Sequence, residues 1–367
     1  MKIPFKTCSF ALSLLLSQVC AAKGAQDRYT MADFNRVQKI DVHMHLHDDT
    51  TAFMELARKD KFKVLVINVD YADFPPLELQ QRVATSLHRA YPQDVAFVAT
   101  FTVKDFNKPG WADETIRHVD QAIADGAVGI KVWKNIGMDL RDTDGKLVMI
   151  DDARFDPVIG HLVQRDIVLL GHQGEPKNCW LPLEKMTVNN DKEYFKEHPQ
   201  YHMYLHPEMP SYEQQMSARD AMLEKNPGLR FVGVHLASLE WDVDELGRFL
   251  DRFPNANVDV AARMGQLQYQ SGLDRERVRR FFMRYQDRVM YGSDLAQSSG
   301  QSAEEFVRDA HTTWLKDWRY FNTDETMKVP ELDSPVHGLA LPKGVVDKLF
   351  RTNAQRQYPQ AWNEIKK

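Results

Sequence analysis

Short runs of β-branched and aliphatic residues recur along the chain, with helically spaced stretches between them. The apolar runs lie at 37–43 (VQKIDVH), 63–69 (KVLVINV), 95–101 (VAFVATF) and 126–134 (GAVGIKVWK). They continue at 167–172 (IVLLGH), 230–235 (RFVGVH), 256–262 (ANVDVAA) and 288–294 (RVMYGSD). Apolar residues three and four apart predict amphipathic helices over Leu77–Tyr91, Asp113–Ala124, Asp242–Phe253 and Asp274–Tyr285. Strands separated by helices imply parallel pairing through right-handed crossovers. Eight such units predict an α/β fold, a closed (β/α)8 TIM-type barrel; a doubly wound open sheet is the alternative. No Gly-x-Gly-x-x-Gly follows the first strand, which weakens a dinucleotide-binding reading. Long connections follow strand five (Gln173–Pro210) and strand eight (Leu295–Leu341), on the rim where a barrel carries its active site. The first contains Trp180, Tyr194, Phe195, Tyr201 and Tyr204 and is too aromatic for disorder, so it reads as a lid or pocket wall.

The first residues are different material. Lys2 and Lys6 precede an apolar run from Cys8 to Val19, and Cys20, Ala21 and Ala22 follow. That is the layout of a secretory signal peptide cleaved after Ala21 or Ala22, with a core shorter than the ~20 residues that span a bilayer. The expected organisation is a signal peptide, 1–22, and one exported barrel domain, 23–367, periplasmic or secreted. Cleavage leaves Cys179 as the sole cysteine, so no intrachain disulfide forms and the domain relies on its core. The chain has 367 residues, 43% hydrophobic and 27% charged, which suits one large globular domain. Its net charge of −5 falls to about −7 once Lys2 and Lys6 leave, and no basic block points to nucleic acid. The expected partner is a small-molecule substrate, with no membrane contact beyond the signal segment and with homo-oligomerisation open.

The candidate chemistry sits at strand ends. In DVHMHLH, alternation along an extended strand puts His43, His45 and His47 on one face. Strand five ends at His172, strand six at His235 and strand eight at Asp294, and strand four carries Lys131. Nitrogen and oxygen donors converging on one rim suit a divalent ion, and zinc would take three or four of them. Arg263, just after strand seven, is placed to grip a carboxylate or to form a structural ion pair. Glu175 could ligate, act as an acid or hold its loop. Trp133 and Lys134 end strand four and Trp180 sits in the long loop, where aromatics would pack a substrate ring or the core. His202 and His206 are a helical turn apart; a second metal site there is not expected.

This pattern, from DVHMH through the later His, His and Asp to LFRTNAQRQYP, resembles the amidohydrolase superfamily. The resemblance is to the amidohydrolase-related branch that includes aminocarboxymuconate semialdehyde decarboxylase, and it covers essentially the whole mature chain. It implies that His43 and His45 are the first-strand metal pair, that His172 is the fifth-strand ligand, and that Asp294 is both ligand and general base. It implies that His235 faces the reacting water or substrate in a one-metal site, and is a ligand in a two-metal site. Lys131 stands where two-metal members carry a carboxylated lysine; a salt bridge or a substrate contact is the alternative. His47 matches no ligand and takes a supporting or loop role. The resemblance implies a metal-dependent hydrolase of a small amide, ester or lactone, with one zinc ion (manganese as the alternative). A metal-dependent decarboxylase of a small carboxylic acid would use nearly the same groups, and a non-catalytic exported binding protein is the remaining alternative.

Overall fold

The computed structural model describes residues 27–48, 51–297 and 300–362. The expected signal segment, 1–22, lies outside the described residues. Nine strands run in order: β1 (Lys39–His45), β2 (Phe62–Ile67), β3 (Val95–Thr100), β4 (Gly129–Val132), β5 (Val168–Gly171), β6 (Phe231–Gly233), β7 (Ala256–Asp259), β8 (Val289–Met290) and β9 (Leu295–Ala296). Each of β1 to β7 pairs in parallel with its successor, and β9 pairs in parallel with β1. The amide of Val42 donates to Tyr291 O (3.0 Å) and that of Asp294 to His43 O (2.8 Å), so the eighth strand position reaches back to the first. The fold is therefore the TIM-type α/β barrel rather than an open sheet.

Two apolar layers explain the closure. Ile40, Val42, Leu65, Ile67, Val98, Val168, Leu170, Val232 and Met290 fill the barrel, with Tyr358 and Trp362 packed against them. Val64, Val66, Phe97, Ile130, Leu169, Phe231 and Val258 face the surrounding helices. The alternation of these two sets along each strand is the period-two pattern of a sheet covered on both faces.

The long connections differ from the expectation of loops. The segment after β9 contains the 20-residue helix Ala303–Asn322 and a small hairpin, Thr326–Met327 with Val336–His337. Ser302 and Glu305 form a capping box, and Phe306, Ala310, Trp314 and Trp318 bury one stripe at four-residue spacing. Trp314 stacks on Phe62 with ring centres 4.1 Å apart and donates its Nε1–H to Asp41 Oδ2 (2.8 Å), which fixes β1 from outside. The segment after β5 is a folded insertion with its own core of Cys179, Met186, Phe195 and Met203. Among the described residues no helix is long and apolar enough to cross a membrane.

Candidate active site

Strand parity decides which side chains reach the barrel mouth. On β4, β5 and β7, simple alternation is enough, whereas Asp294 lies beyond the end of β8 in a left-handed conformation (φ 66°), held by its amide on His43 O. Lys131 follows Gly129, His172 follows Leu170, and Asp259 follows Asn257. The first strand is different. Ile40 and Val42 line the barrel, so unbroken alternation would send His43 and His45 outward with Lys39 and Asp41. The pairing of β1 with β2 slips by one residue between Asp41 and Met44, and this bulge turns both histidines inward and Met44 outward. Just past the end of β6, Val234 already faces inward, so His235 has the wrong parity. A left-handed turn from His235 to Ser238, with φ between 55° and 58°, swings it into the mouth. Four non-glycine residues in that region cost on the order of 1 kcal/mol each, and the surrounding structure must supply that energy.

The side chains so delivered are close together. Asp294 Oδ1 lies 3.1 Å from His43 Nε2 and 3.3 Å from His45 Nε2. His45 gives its Nδ1–H to Ile67 O (2.7 Å), the tautomer that leaves the Nε2 lone pair for a ligand contact. His43 Nδ1 lies 2.9 Å from Asp259 Oδ2, with the same consequence, and Lys131 Nζ is 2.9 Å from His43 Nε2. His235 gives its Nδ1–H to Ala261 O (2.9 Å), and its ring centre is 4.8 Å from that of His43 and 4.3 Å from that of His172. Burial lowers the pKa of His43, His172 and His235 well below the ordinary imidazole value, which keeps all three neutral. Burial also lowers Lys131 to about 8, although Asp294 and Asp259 pull the other way.

These donors fit a metal ion. Two imidazole lone pairs facing one carboxylate oxygen repel unless positive charge lies between them, and Lys131 reaches only one of them. His43, His45 and Asp294 offer ligand atoms within 4.8 Å of one another. His172 Nε2 is buried with no hydrogen-bond partner, as expected of an atom awaiting a ligand contact. His172 itself falls outside that compact group. A second group, His43, His235 and Asp259, is equally close, but there Asp259 already holds His43 through Nδ1.

The remaining predicted residues divide. Trp133 and Glu175 line a cavity of about 690 Å³, together with Tyr71, Lys134, Tyr194 and Tyr201, and the Trp133 ring centre lies 6.5 Å from that of His172. Tyr71 and Trp133 have ring centres 4.6 Å apart, and Phe74 bridges from Tyr71 (5.3 Å) to His45 (5.1 Å). Glu175 is ion-paired with Lys134, so its carboxylate is already engaged. Trp180 is not among the cavity's lining residues; its indole donates to Pro210 O (3.1 Å) and packs on Tyr212. Arg263 is 8% exposed, donates to Ala262 O (2.9 Å), and keeps a buried, unpartnered Nε. No carboxylate among the described residues lies within 4 Å of its guanidinium. His47 binds Gln297 O through Nδ1 (2.9 Å) and packs on Phe74. His202 and His206 bind the carbonyls of Leu181 and Pro199 and do not form a metal pair.

Two acids escaped the sequence reading. Asp259 was legible in principle: in ANVDVAA the outward positions Ala256, Val258 and Val260 are apolar, while the inward ones, Asn257 and Asp259, are polar. Asp41 accepts from the amides of His43 (3.1 Å) and Ser293 (3.0 Å) and so ties β1 to the eighth strand position. Packing there is tight. A Cβ on Gly292 would lie 2.8 Å from His43 Cβ. Gly292→Ala is therefore expected to push His43 out of place and to cost about 1–3 kcal/mol, read by urea denaturation alongside metal content.

Comparison with known proteins gives the same architecture. A putative amidohydrolase from Staphylococcus aureus superposes with a TM-score of 0.50 at 12% identity, covering 88% of this chain and 100% of that one, which shows the shared fold. An amidohydrolase II structure (TM-score 0.49, 16% identity, 88% and 100% covered) is also similar. So is a putative 2-pyrone-4,6-dicarboxylic acid hydrolase from Pseudomonas putida (0.47, 11%, 89% and 98%). No curated protein matches significantly. A family model described as amidohydrolase matches residues 40–360, from the histidine strand to beyond the last helix, and the chain belongs to that family, whose members typically hold divalent metal ions.

Proposed function

We propose that the chain is a metal-dependent hydrolase of a small amide, ester or lactone. It uses one divalent ion, zinc before manganese, held by His43, His45, His172 and Asp294. The observation that carries this reading is the convergence of the His43 and His45 lone pairs on the Asp294 carboxylate at the barrel mouth. A divalent ion bound there lowers the pKa of water to roughly 7. Asp294 takes the proton of the attacking water and returns it to the leaving group. His235 begins as an acceptor, because its Nδ1–H is given to Ala261; it can donate to the substrate oxygen only after it has taken a proton. The cavity walled by Tyr71 and Trp133 receives the body of the substrate, and Arg263 offers its free donors to an anionic substituent. Export directed by residues 1–22 belongs to the same proposal.

The test is a panel of small esters, lactones, amides and carboxylic acids, scored in parallel for released acid or amine and for released CO₂. Acid or amine without CO₂ is the expected result. CO₂ release would assign the same groups to a lyase. Metal-replete protein that turns over nothing in the panel would point to a binding protein.

A further inference from the structure

We propose that Asp259 is a positioning residue that sets, from one carboxylate, both the tautomer of His43 and the placement of His235. The proposal rests on the reading of His43 as a metal ligand. Asp259 is fully buried at the inward end of β7. Its Oδ2 lies 2.9 Å from His43 Nδ1, and its Oδ1 accepts the amides of His235 (2.7 Å) and Ala261 (3.2 Å). Ala261 in turn accepts His235 Nδ1–H through its carbonyl (2.9 Å). One carboxylate thus clamps the first residue of the left-handed turn and also holds, through its amide, the residue whose carbonyl orients the His235 ring.

The consequence for His43 is chemical. An ionised carboxylate only accepts, so the ring proton of His43 sits on Nδ1 and its Nε2 lone pair faces the mouth. Lys131 Nζ, 2.9 Å from that Nε2, is a donor and requires the same tautomer. Two of the three histidines whose positions strand parity does not supply, His43 in the bulge and His235 in the left-handed turn, therefore share a single anchor. A buried acid that merely filled space would have no stake in the His43 tautomer.

Asp259→Asn separates these roles. The asparagine carbonyl can still accept from His235 and Ala261, so the turn is kept. Its NH₂ group then faces His43 Nδ1 and forces the ring proton to Nε2, where it opposes both Lys131 and any bound cation. The readouts need no turnover. Nitrogen NMR of ¹⁵N-histidine-labelled apoprotein, with His43 assigned through a His43→Gln variant, reports the tautomer. Zn²⁺ competition against a chromophoric chelator reports affinity. The expected result is an Nδ1–H tautomer in the wild-type chain, an Nε2–H tautomer in the variant, a near-unchanged melting temperature, and a roughly 10- to 100-fold loss of Zn²⁺ affinity. An unflipped tautomer in the folded variant, or a flipped one with undiminished affinity, overturns the proposal. Should the variant fail to fold, the wild-type spectrum decides: a proton on His43 Nε2 there overturns it as well. A chain that binds Zn²⁺ in an Asp259-dependent way yet hydrolyses nothing would lose the hydrolase reading and keep this one.

Discussion

Asp294→Asn is expected to lower turnover about 10²- to 10⁴-fold while the protein stays folded and keeps its metal. The substitution is unusually clean at this position. Asp294 has a φ of 66°, a left-handed conformation that asparagine tolerates better than almost any other side chain. The backbone link from its amide to His43 O is untouched by the change. What is lost is the anionic oxygen between His43 and His45, and with it the group proposed to carry the proton. Turnover of the best panel substrate, elemental analysis and a melting curve check the three parts separately. Undiminished turnover would refute the base role. Lost metal would instead make Asp294 chiefly a ligand.

Removing the ion is expected to have the larger effect. Dialysis against a strong chelator should abolish activity, and added Zn²⁺ or Mn²⁺ should restore it. The fold should persist meanwhile, because the barrel interior and the helical layer are apolar cores that do not depend on the ion. Unchanged circular dichroism with zero turnover is the expected combination. About one equivalent of metal per chain in active protein is expected, because the group of His43, His45 and Asp294 is free to ligate whereas in the group of His43, His235 and Asp259 the acid already holds His43. Two equivalents would bring Lys131 and His235 into the ligand set. Full activity in rigorously metal-free protein would remove the metal from the mechanism.

The architecture was legible because strands and helices leave different periods in the sequence. All eight barrel strand positions lie where short apolar runs predict them. The eighth is interrupted: it pairs at Val289–Met290, breaks through Gly292 and the left-handed Asp294, and resumes at Leu295–Ala296. The helix Ala303–Asn322 fell inside a stretch read as a loop, although its capping box and its Phe306, Ala310, Trp314, Trp318 stripe were visible. Trp180 was taken for a pocket wall because it is aromatic and in the insertion. Only the fold shows its indole committed to Pro210 O.

By itself the sequence determined the rhythm of eight βα units and the type of donor near each strand end. Those follow from local pattern: apolar runs, helical spacing, and imidazole or carboxylate where an apolar run stops. Tertiary structure alone decided that the donors meet. Side-chain facing has a period of two, so a single inserted residue or one left-handed turn reverses it. The bulge between Asp41 and Met44 and the turn at His235 are set by pairing with neighbouring strands and by Asp259, 216 residues from His43 along the chain. Such contacts leave no mark in the residues next to the histidines they aim.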